Sequence, residues 1–88
     1  NLSALDVGGE ILSISNFTLS ADTKKGNRPS FFDSMNPEES NRLYNYFNQK
    51  LSETGIVNVE TGEFGAYMQI FANLDGPITI ILNTDGLI

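Results

Sequence analysis

The residues able to carry chemistry in this chain are limited, because two of the usual types are missing. Its 88 residues include no histidine and no cysteine, which excludes a Ser-His-Asp triad, a thiolate nucleophile and metal ligation by either residue. The hydroxyls of Ser15 and Thr18 remain, but a hydroxyl needs an activating base to become a nucleophile. The 11 aspartates and glutamates show no spacing typical of a metal site. We therefore expect no metal or other cofactor, and any reaction must use hydroxyls, carboxylates, lysines, backbone groups or the substrate itself.

The dipeptide Gly76-Pro77 is a second feature that could serve a ligand. The bond before a proline is the peptide bond that most readily becomes cis, and glycine relaxes the limits that proline imposes on the residue before it. An ordinary tight turn between two strands explains the pair, and so does a rigid backbone element that faces a ligand. Strand propensity likewise explains Thr18, and core packing explains Met68 and Phe17. Taken singly, these residues are weak evidence of a site.

Charge is the third feature with a functional meaning. The net charge of −6 argues against a broad nucleic-acid groove, which needs many lysines and arginines. Three of the five basic residues nevertheless fall within five positions, namely Lys24, Lys25 and Arg28. Such a cluster suits one or two phosphates, although a solvated loop is the simpler interpretation.

The elements that must position these residues follow from the apolar pattern. Alternation over 10–19 predicts a strand with a change of register near Asn16, and a bulge there would re-aim a side chain. Residues 21–36 form a long polar connection of the kind that is often functional. Further strands are predicted over 56–60, 67–71 and 78–82, with a turn at Thr61-Gly62. The predicted class is α+β, with a mostly antiparallel or mixed sheet and one amphipathic helix packed on it.

The helix has the clearest local signal in the sequence. Asn36 is a good N-cap, Pro37 suits the first helical position, and the two glutamates that follow complement the helix dipole. Apolar residues at 43, 44, 47 and 51 follow helical spacing, and Gly55 supplies a stop. These signals predict one helix over 37–54.

Taken together and in order, five segments make this chain similar to the D-aminoacyl-tRNA deacylase family. They are Asn1-Leu2-Ser3 with Gly9-Glu10-Ile11-Leu12, Ser15-Asn16-Phe17-Thr18-Leu19, the loop from Ala21 to Phe31, Thr61 to Met68, and Asp75-Gly76-Pro77-Ile78-Thr79. The resemblance runs to about Leu82 and covers the C-terminal part of the family's single domain, whose sheet is barrel-like. We therefore interpret residues 1–88 as a portion of one such domain and expect an N-terminal part to be missing.

The resemblance implies a function. In that family, a cytoplasmic homodimer hydrolyses the ester that joins a D-amino acid to the terminal adenosine of tRNA. Gly76-Pro77 would be cis and reach into the active site of the neighbouring subunit, where its backbone leaves no room for an L-amino acid.

The resemblance also assigns roles to the other residues. Ser15, Phe17 and Thr18 would line the ester pocket with Asn16, and backbone N–H groups near Phe17 and Thr18 would polarise the carbonyl. Thr18 would be a nucleophile or a positioning group, and Met68 would lie against the adenosine. Substrate contacts are further expected from Phe31 and, at the tRNA phosphates, from Lys24, Lys25 and Arg28.

Two positions depart from the family pattern. Asn16 stands where the family usually has glutamine, and Leu74 stands where an asparagine normally precedes Asp-Gly-Pro. These changes keep open a second alternative, a module that binds RNA ends or aminoacyl-tRNA without cleaving it. A structural association domain is a third alternative. Since an absent N-terminal part would leave apolar strand faces uncovered, we expect tight self-association or a fold that depends on the dimer. No apolar run is long enough to cross a membrane, so no membrane partner is expected.

Overall fold

The computed structural model describes residues 1–20, 24, 26 and 36–86. Within these ranges the chain forms a strand β1, Ile11–Ser13, a 3₁₀ helix, Phe17–Ser20, and the α-helix α1, Pro37–Ser52. A strand β2, Val59–Thr61, and a second 3₁₀ helix, Thr84–Gly86, follow. No helix among the described residues is long and apolar enough to cross a membrane.

The predicted helix is confirmed and ends two residues earlier than expected. The side chain of Asn36 accepts a hydrogen bond from the backbone N–H of Glu39 at 2.9 Å, with Pro37 in the first turn. An N-cap of this kind satisfies a backbone donor that the helix itself leaves without a partner. At the other end, Thr54 N–H donates to the carbonyl of Leu51, and Gly55 takes a φ of +92°. Local sequence chemistry thus sets both ends of α1.

The predicted α+β class is confirmed in part, because the described chain has a small sheet and one helix. β1 and β2 pair in parallel, with Ile11 opposite Val59 and Ser13 opposite Thr61, which a mixed sheet allows and a purely antiparallel sheet does not. The physical reason is the crossover, because α1 lies between the two strands and carries the chain back to start β2 in the same direction. A barrel is not formed by the residues that the structure describes.

Several predicted strand boundaries are also wrong. β1 ends at Ser13, and a 3₁₀ helix replaces the second half of the strand predicted over 10–19. β2 begins at Val59 instead of 56, and Gly62 prolongs the ladder by donating its N–H to the carbonyl of Ser13 at 3.1 Å. The runs over 67–71 and 78–82 are not strands. A strand needs a neighbour to satisfy its backbone groups, and these runs have none within the described chain.

The side chain of Tyr44 connects α1 to the sheet by hydrogen bonds. Its hydroxyl donates to the carbonyl of Ser13 at 2.7 Å and lies 3.4 Å from the carbonyl of Gly62. Its ring lies 6.2 Å from that of Phe64, with a tilt of 39° between the planes. Ser13 and Ile56 are the buried residues of this small core. The helix therefore contacts both strands at their C-terminal ends. The residues that follow each strand line the pocket described below.

Most apolar side chains of residues 66–83 are exposed. Exposure reaches 85% at Ile78 and 89% at Ile81. Within this segment the Gly76–Pro77 peptide bond is trans, since the described residues contain no cis bond, so the expected cis bond is wrong for this chain. Trans is the lower-energy form of an X-Pro bond unless tertiary contacts reverse the preference, and the segment around Pro77 is exposed on every side.

Candidate functional site

A pocket of about 280 Å³ lies where the turn after β1 faces the segment after β2. Residues 14–18 form one side, and residues 65–68 with Ile70 form the other. It is thus built from two segments that the parallel pairing of β1 and β2 brings side by side. The lining is largely apolar, with the hydroxyls of Ser15 and Thr18 and the carboxamide of Asn16 as its polar groups beside the phenol of Tyr67.

The turn that follows β1 is closed by the side chain of Asn16. Its Oδ1 atom accepts a hydrogen bond from the backbone N–H of Thr18 at 3.2 Å and another from the Thr18 hydroxyl. Its backbone carbonyl accepts from the N–H of Leu19 at 3.4 Å. Asparagine favours such turns because its short side chain reaches the backbone two residues ahead. We expected the Thr18 N–H to donate to a substrate carbonyl. It does not fit this role here, because it already donates to the Asn16 side chain.

The opposite side of the pocket is held by Met68. A methyl group built on Gly62 would lie 3.0 Å from the Met68 sulfur and 3.8 Å from Ile14, so the thioether passes directly over a glycine that has no side chain. Met68 is partly buried there, and Phe17 is more than half exposed. The absence of a side chain at position 62 therefore leaves the space that lets Met68 approach the turn after β1.

The electrostatics of the pocket are those of a neutral site. No carboxylate, lysine or arginine lines it among the described residues, and no cluster of acidic residues in the described chain is placed to hold a metal ion. The pKa shifts lie elsewhere. Hydrogen bonds from the backbone and side chain of Ser3 lower the pKa of Asp6, and hydrogen bonding with charge attraction from Glu39 raises the pKa of Arg42. Neutral hydrogen-bonding groups must therefore carry any polarisation of a ligand.

The structure brings some of the predicted site residues together. Ser15, Asn16, Phe17 and Thr18 share the pocket with Met68, which is distant from them in sequence. Their roles stay predictions.

Other predicted site residues lie elsewhere. Gly76 and Pro77 do not line the pocket, and neither does the exposed Lys24. Lys25, Arg28 and Phe31 lie outside the described residues.

Sequence reasoning missed five residues of the pocket lining, namely Ile14, Gly65, Ala66, Tyr67 and Ile70. A usable signal existed for two of them, because Ala66, Met68 and Ile70 alternate along an extended chain. Alternating residues of an extended segment point to the same side. The choice of Met68 as a pocket residue therefore implied the other two.

Comparison with known proteins assigns this chain to a family. The model of a family described as D-Tyr-tRNA(Tyr) deacylase matches residues 1–83. The chain belongs to this family. Its members include the D-aminoacyl-tRNA deacylases of Lactobacillus helveticus, 60% identical over 83 residues, and of Thermosipho melanesiensis, 49% identical over 84 residues. These alignments cover 94% and 96% of this chain but 57% and 56% of the relatives. The chain therefore spans little more than half the length of the deacylases it matches.

A solved structure has the same fold. The chain described as c-Myc DNA Unwinding Element Binding Protein superposes with a TM-score of 0.81 at 40% sequence identity. The match covers 96% of this chain and 56% of the other. The arrangement of β1, α1 and β2 is thus shared with that structure across nearly all of this chain.

Proposed function

We propose that this chain forms part of a hydrolase that cleaves the ester of D-aminoacyl-tRNA, releasing the free D-amino acid and tRNA. Water adds to the ester carbonyl, the bond to the ribose oxygen breaks, and that oxygen takes up a proton as it leaves. Membership of the family supports the reaction class. The observation that carries the proposal is the pocket itself, in which residues 15–18 and Met68 meet.

The neutral lining determines how such a site would work. Without histidine or cysteine in the sequence, the pocket offers neither the commonest general base nor a thiolate nucleophile. Its contribution is to orient the ester, exclude water from the apolar sides and supply hydrogen bonds. We infer that the ribose hydroxyl next to the ester helps to activate the attacking water, with Met68 against the adenosine.

Chiral selection is the part of the proposal that needs a second subunit. We propose that Gly76-Pro77 of one subunit reaches the pocket of another in a homodimer and leaves no room for an L side chain. Gly76 has a φ of +118°, a conformation that L side chains rarely adopt, so the turn depends on glycine. The exposed apolar residues on both sides of it support burial against a partner.

The test of function uses two esters and a matched pair of variants. We expect the 88-residue chain to hydrolyse D-tyrosyl-tRNA and to leave L-tyrosyl-tRNA intact. Thr18→Val should lower the rate, whereas Thr84→Val, the same change at an exposed position outside the pocket and beyond the family match, should not. Hydrolysis of both esters at equal rates would overturn the chiral role. Equal effects of the two variants would refute the assignment of the pocket as the site of hydrolysis.

The test of the partner uses complementation between two variants. Thr18→Val damages the pocket of its own chain, and Gly76→Val adds a side chain that should block whichever pocket the segment enters, so each variant alone should lose most of its hydrolysis of D-tyrosyl-tRNA. If the segment crosses between subunits, mixing the two variants restores about a quarter of the sites by random pairing in a symmetric dimer. If each segment serves its own pocket, the mixture stays as inactive as the separate variants.

A second function is favoured by one specific observation, the lack of a carboxylate, lysine or arginine in the lining among the residues that the structure describes. A pocket of this kind can hold the aminoacyl end of tRNA without cleaving it. Stoichiometric binding of D-tyrosyl-tRNA with the ester intact would support this binder and refute the hydrolase.

A further inference from the structure

We propose that Asp75 is a site of spontaneous backbone modification, where its link to Gly76 is rearranged to an isoaspartyl bond. The reaction needs an aspartate whose side-chain carboxyl carbon can meet the backbone nitrogen of the next residue. Glycine is the most permissive next residue, because it has no side chain to obstruct that approach. The sequence offers such a pair twice, as Asp75-Gly76 and as Asp85-Gly86. The structure favours the first of them.

The chemistry is a condensation followed by a hydrolysis. The backbone nitrogen of Gly76 bonds to the side-chain carboxyl carbon of Asp75, and the carboxyl hydroxyl leaves with the proton of that nitrogen as one molecule of water. Water then opens the cyclic imide. Attack on the former side-chain carbonyl restores Asp75, whereas attack on the former backbone carbonyl leaves the main chain running through the side-chain carbon. No oxidant or cofactor is consumed, and the mass of the protein is unchanged.

The carboxylate of Asp75 is free to make this approach. The residue is exposed, and no hydrogen bond or ion pair holds its side chain within the described part of the protein. An aspartate or asparagine in a turn is often held by the N–H two residues ahead, as Asn16 is held by the N–H of Thr18 at 3.2 Å. Two residues ahead of Asp75 lies Pro77, which has no N–H to donate. The sequence itself therefore removes the usual restraint.

The attacking nitrogen is unrestrained as well. The N–H of Gly76 makes no backbone hydrogen bond among the described residues, and the residue lies in a bend outside every described helix and strand. Even a Cβ atom built on Gly76 would have only Ile78 within 4 Å beyond the adjacent residues, with the Ile78 nitrogen at 3.5 Å. The backbone at this position therefore has room to rotate toward the carboxyl group.

The second Asp-Gly pair is held in place by its surroundings. It lies in the 3₁₀ helix Thr84–Gly86, and the N–H of Asp85 donates to the side chain of Asn83 at 3.0 Å. A hydrogen-bonded helical turn restrains the backbone rotation that brings the nitrogen to the carboxyl carbon. We therefore expect slower modification at Asp85 than at Asp75.

Modification at Asp75 would change the segment to which we assign chiral selection. An isoaspartyl bond adds one carbon–carbon bond of about 1.5 Å to the main chain, and it places a free carboxylate on the backbone directly before Gly76-Pro77. A backbone that rejects L side chains by lack of room cannot keep its fit after such a shift. This consequence rests on the proposed function, whereas the modification site itself does not.

The experiment ages the 88-residue protein in neutral buffer and follows the two pairs separately. Proteolysis separates the peptides that contain Asp75 and Asp85, and electron-transfer fragmentation distinguishes isoaspartate from aspartate. We expect isoaspartate to form several times faster at Asp75 than at Asp85. An unmodified Asp75, or modification at Asp85 that is equally fast or faster, would overturn the inference.

Two variants test the chemistry and the missing restraint. Asp75→Glu keeps the charge but must close a larger ring, so modification at this position should nearly disappear. Pro77→Ala supplies an N–H two residues ahead of Asp75 and should slow the modification, measured on the soluble fraction. An unchanged rate in Pro77→Ala would refute the role given to the missing N–H.

Activity measurements separate this inference from the proposed function. Aged wild-type protein should lose its preference for D-tyrosyl-tRNA over L-tyrosyl-tRNA in step with its isoaspartate content, whereas aged Asp75→Glu should keep the preference of its own fresh sample. Isoaspartate at Asp75 with an unchanged preference would refute the consequence for Gly76-Pro77. A fresh wild-type protein that cleaves neither ester would refute the proposed function, and the peptide measurement would still decide the modification site.

Discussion

Replacing Tyr44 by phenylalanine removes one oxygen atom from the contact that fastens α1 to the sheet. That oxygen donates to the carbonyl of Ser13 at 2.7 Å in a part-buried position, and its second contact, to Gly62, is a weak 3.4 Å. The Ser13 carbonyl also accepts from the N–H of Gly62 at 3.1 Å, so the variant leaves no acceptor without a partner. The loss should therefore match the net value of one ordinary hydrogen bond, about 1 kcal/mol, without an added desolvation penalty.

The ring contact with Phe64 is unaffected by this change, because the phenylalanine ring keeps its place. A loss of about 1 kcal/mol in the free energy of unfolding corresponds to a fall in Tm of roughly 4–8 °C for a chain of this size. Urea titrations followed by far-UV circular dichroism measure it, at one protein concentration throughout. Tyr44→Leu should cost more, since it also removes the ring from Phe64.

Tyr46 provides the matched control. It lies on the same helix with about half of its surface exposed, and its ring packs under the ammonium of Lys50 at 5.3 Å. Tyr46→Phe keeps that ring, so its effect should stay within about 0.5 kcal/mol, as is usual for surface changes. Equal losses in the two variants, or no loss in Tyr44→Phe, would refute the claim that the Tyr44 hydroxyl holds the helix to the sheet.

Three other predictions follow from single contacts. Asn36→Ala removes the cap of α1 and should cost about 1 kcal/mol, measured by the same titration, while Asn36→Asp should cost little. Gly62→Ala places a methyl group 3.0 Å from the sulfur of Met68, so it should displace that side chain and raise KM for D-tyrosyl-tRNA with little change in kcat; an unchanged KM would contradict it. The pKa of Asp6 is lowered by its hydrogen bonds with Ser3, so its contribution to stability is present above the unfolded-state pKa near 4. That contribution is lost as the pH falls through the lower pKa of Asp6 in the folded state. A midpoint for Asp6 in an NMR titration at or above the unfolded-state pKa would refute this prediction.

Residues whose structure depends on near neighbours could be predicted from the sequence. The cap at Asn36, the proline at the first helical position and the stop at Gly55 all act within one turn of the helix. The start of α1 therefore matched the prediction, and its end differed by two residues. The grouping of Ser15 to Thr18 was equally local, although Asn16 closes a 3₁₀ turn where a bulged strand was expected.

Residues whose structure depends on distant partners could not be predicted in this way. The apolar alternation over 78–82 is typical of a strand, but alternation does not supply the neighbouring strand that pairing needs. The parallel register of Ile11 with Val59 depends on how α1 crosses between them. The isomer at Gly76–Pro77 likewise depends on what packs against it, since the two forms differ by only about 0.5–1 kcal/mol in an unrestrained chain.

The uncovered segment of residues 66–83 has a consequence for how the protein behaves in solution. Its large apolar side chains are mostly exposed, for example 68% at Leu74 and 89% at Ile81, and contiguous apolar surface of this kind marks association sites. Ile78-Thr79-Ile80-Ile81-Leu82 is uncharged, rich in β-branched residues and free of proline, which is the composition of segments that stack into cross-β aggregates. Asp75 and Pro77 interrupt the apolar sequence immediately before it, as gatekeeper residues do. The protein should therefore show a thermal midpoint that rises with concentration, and removal of Pro77 should shorten the lag before aggregation.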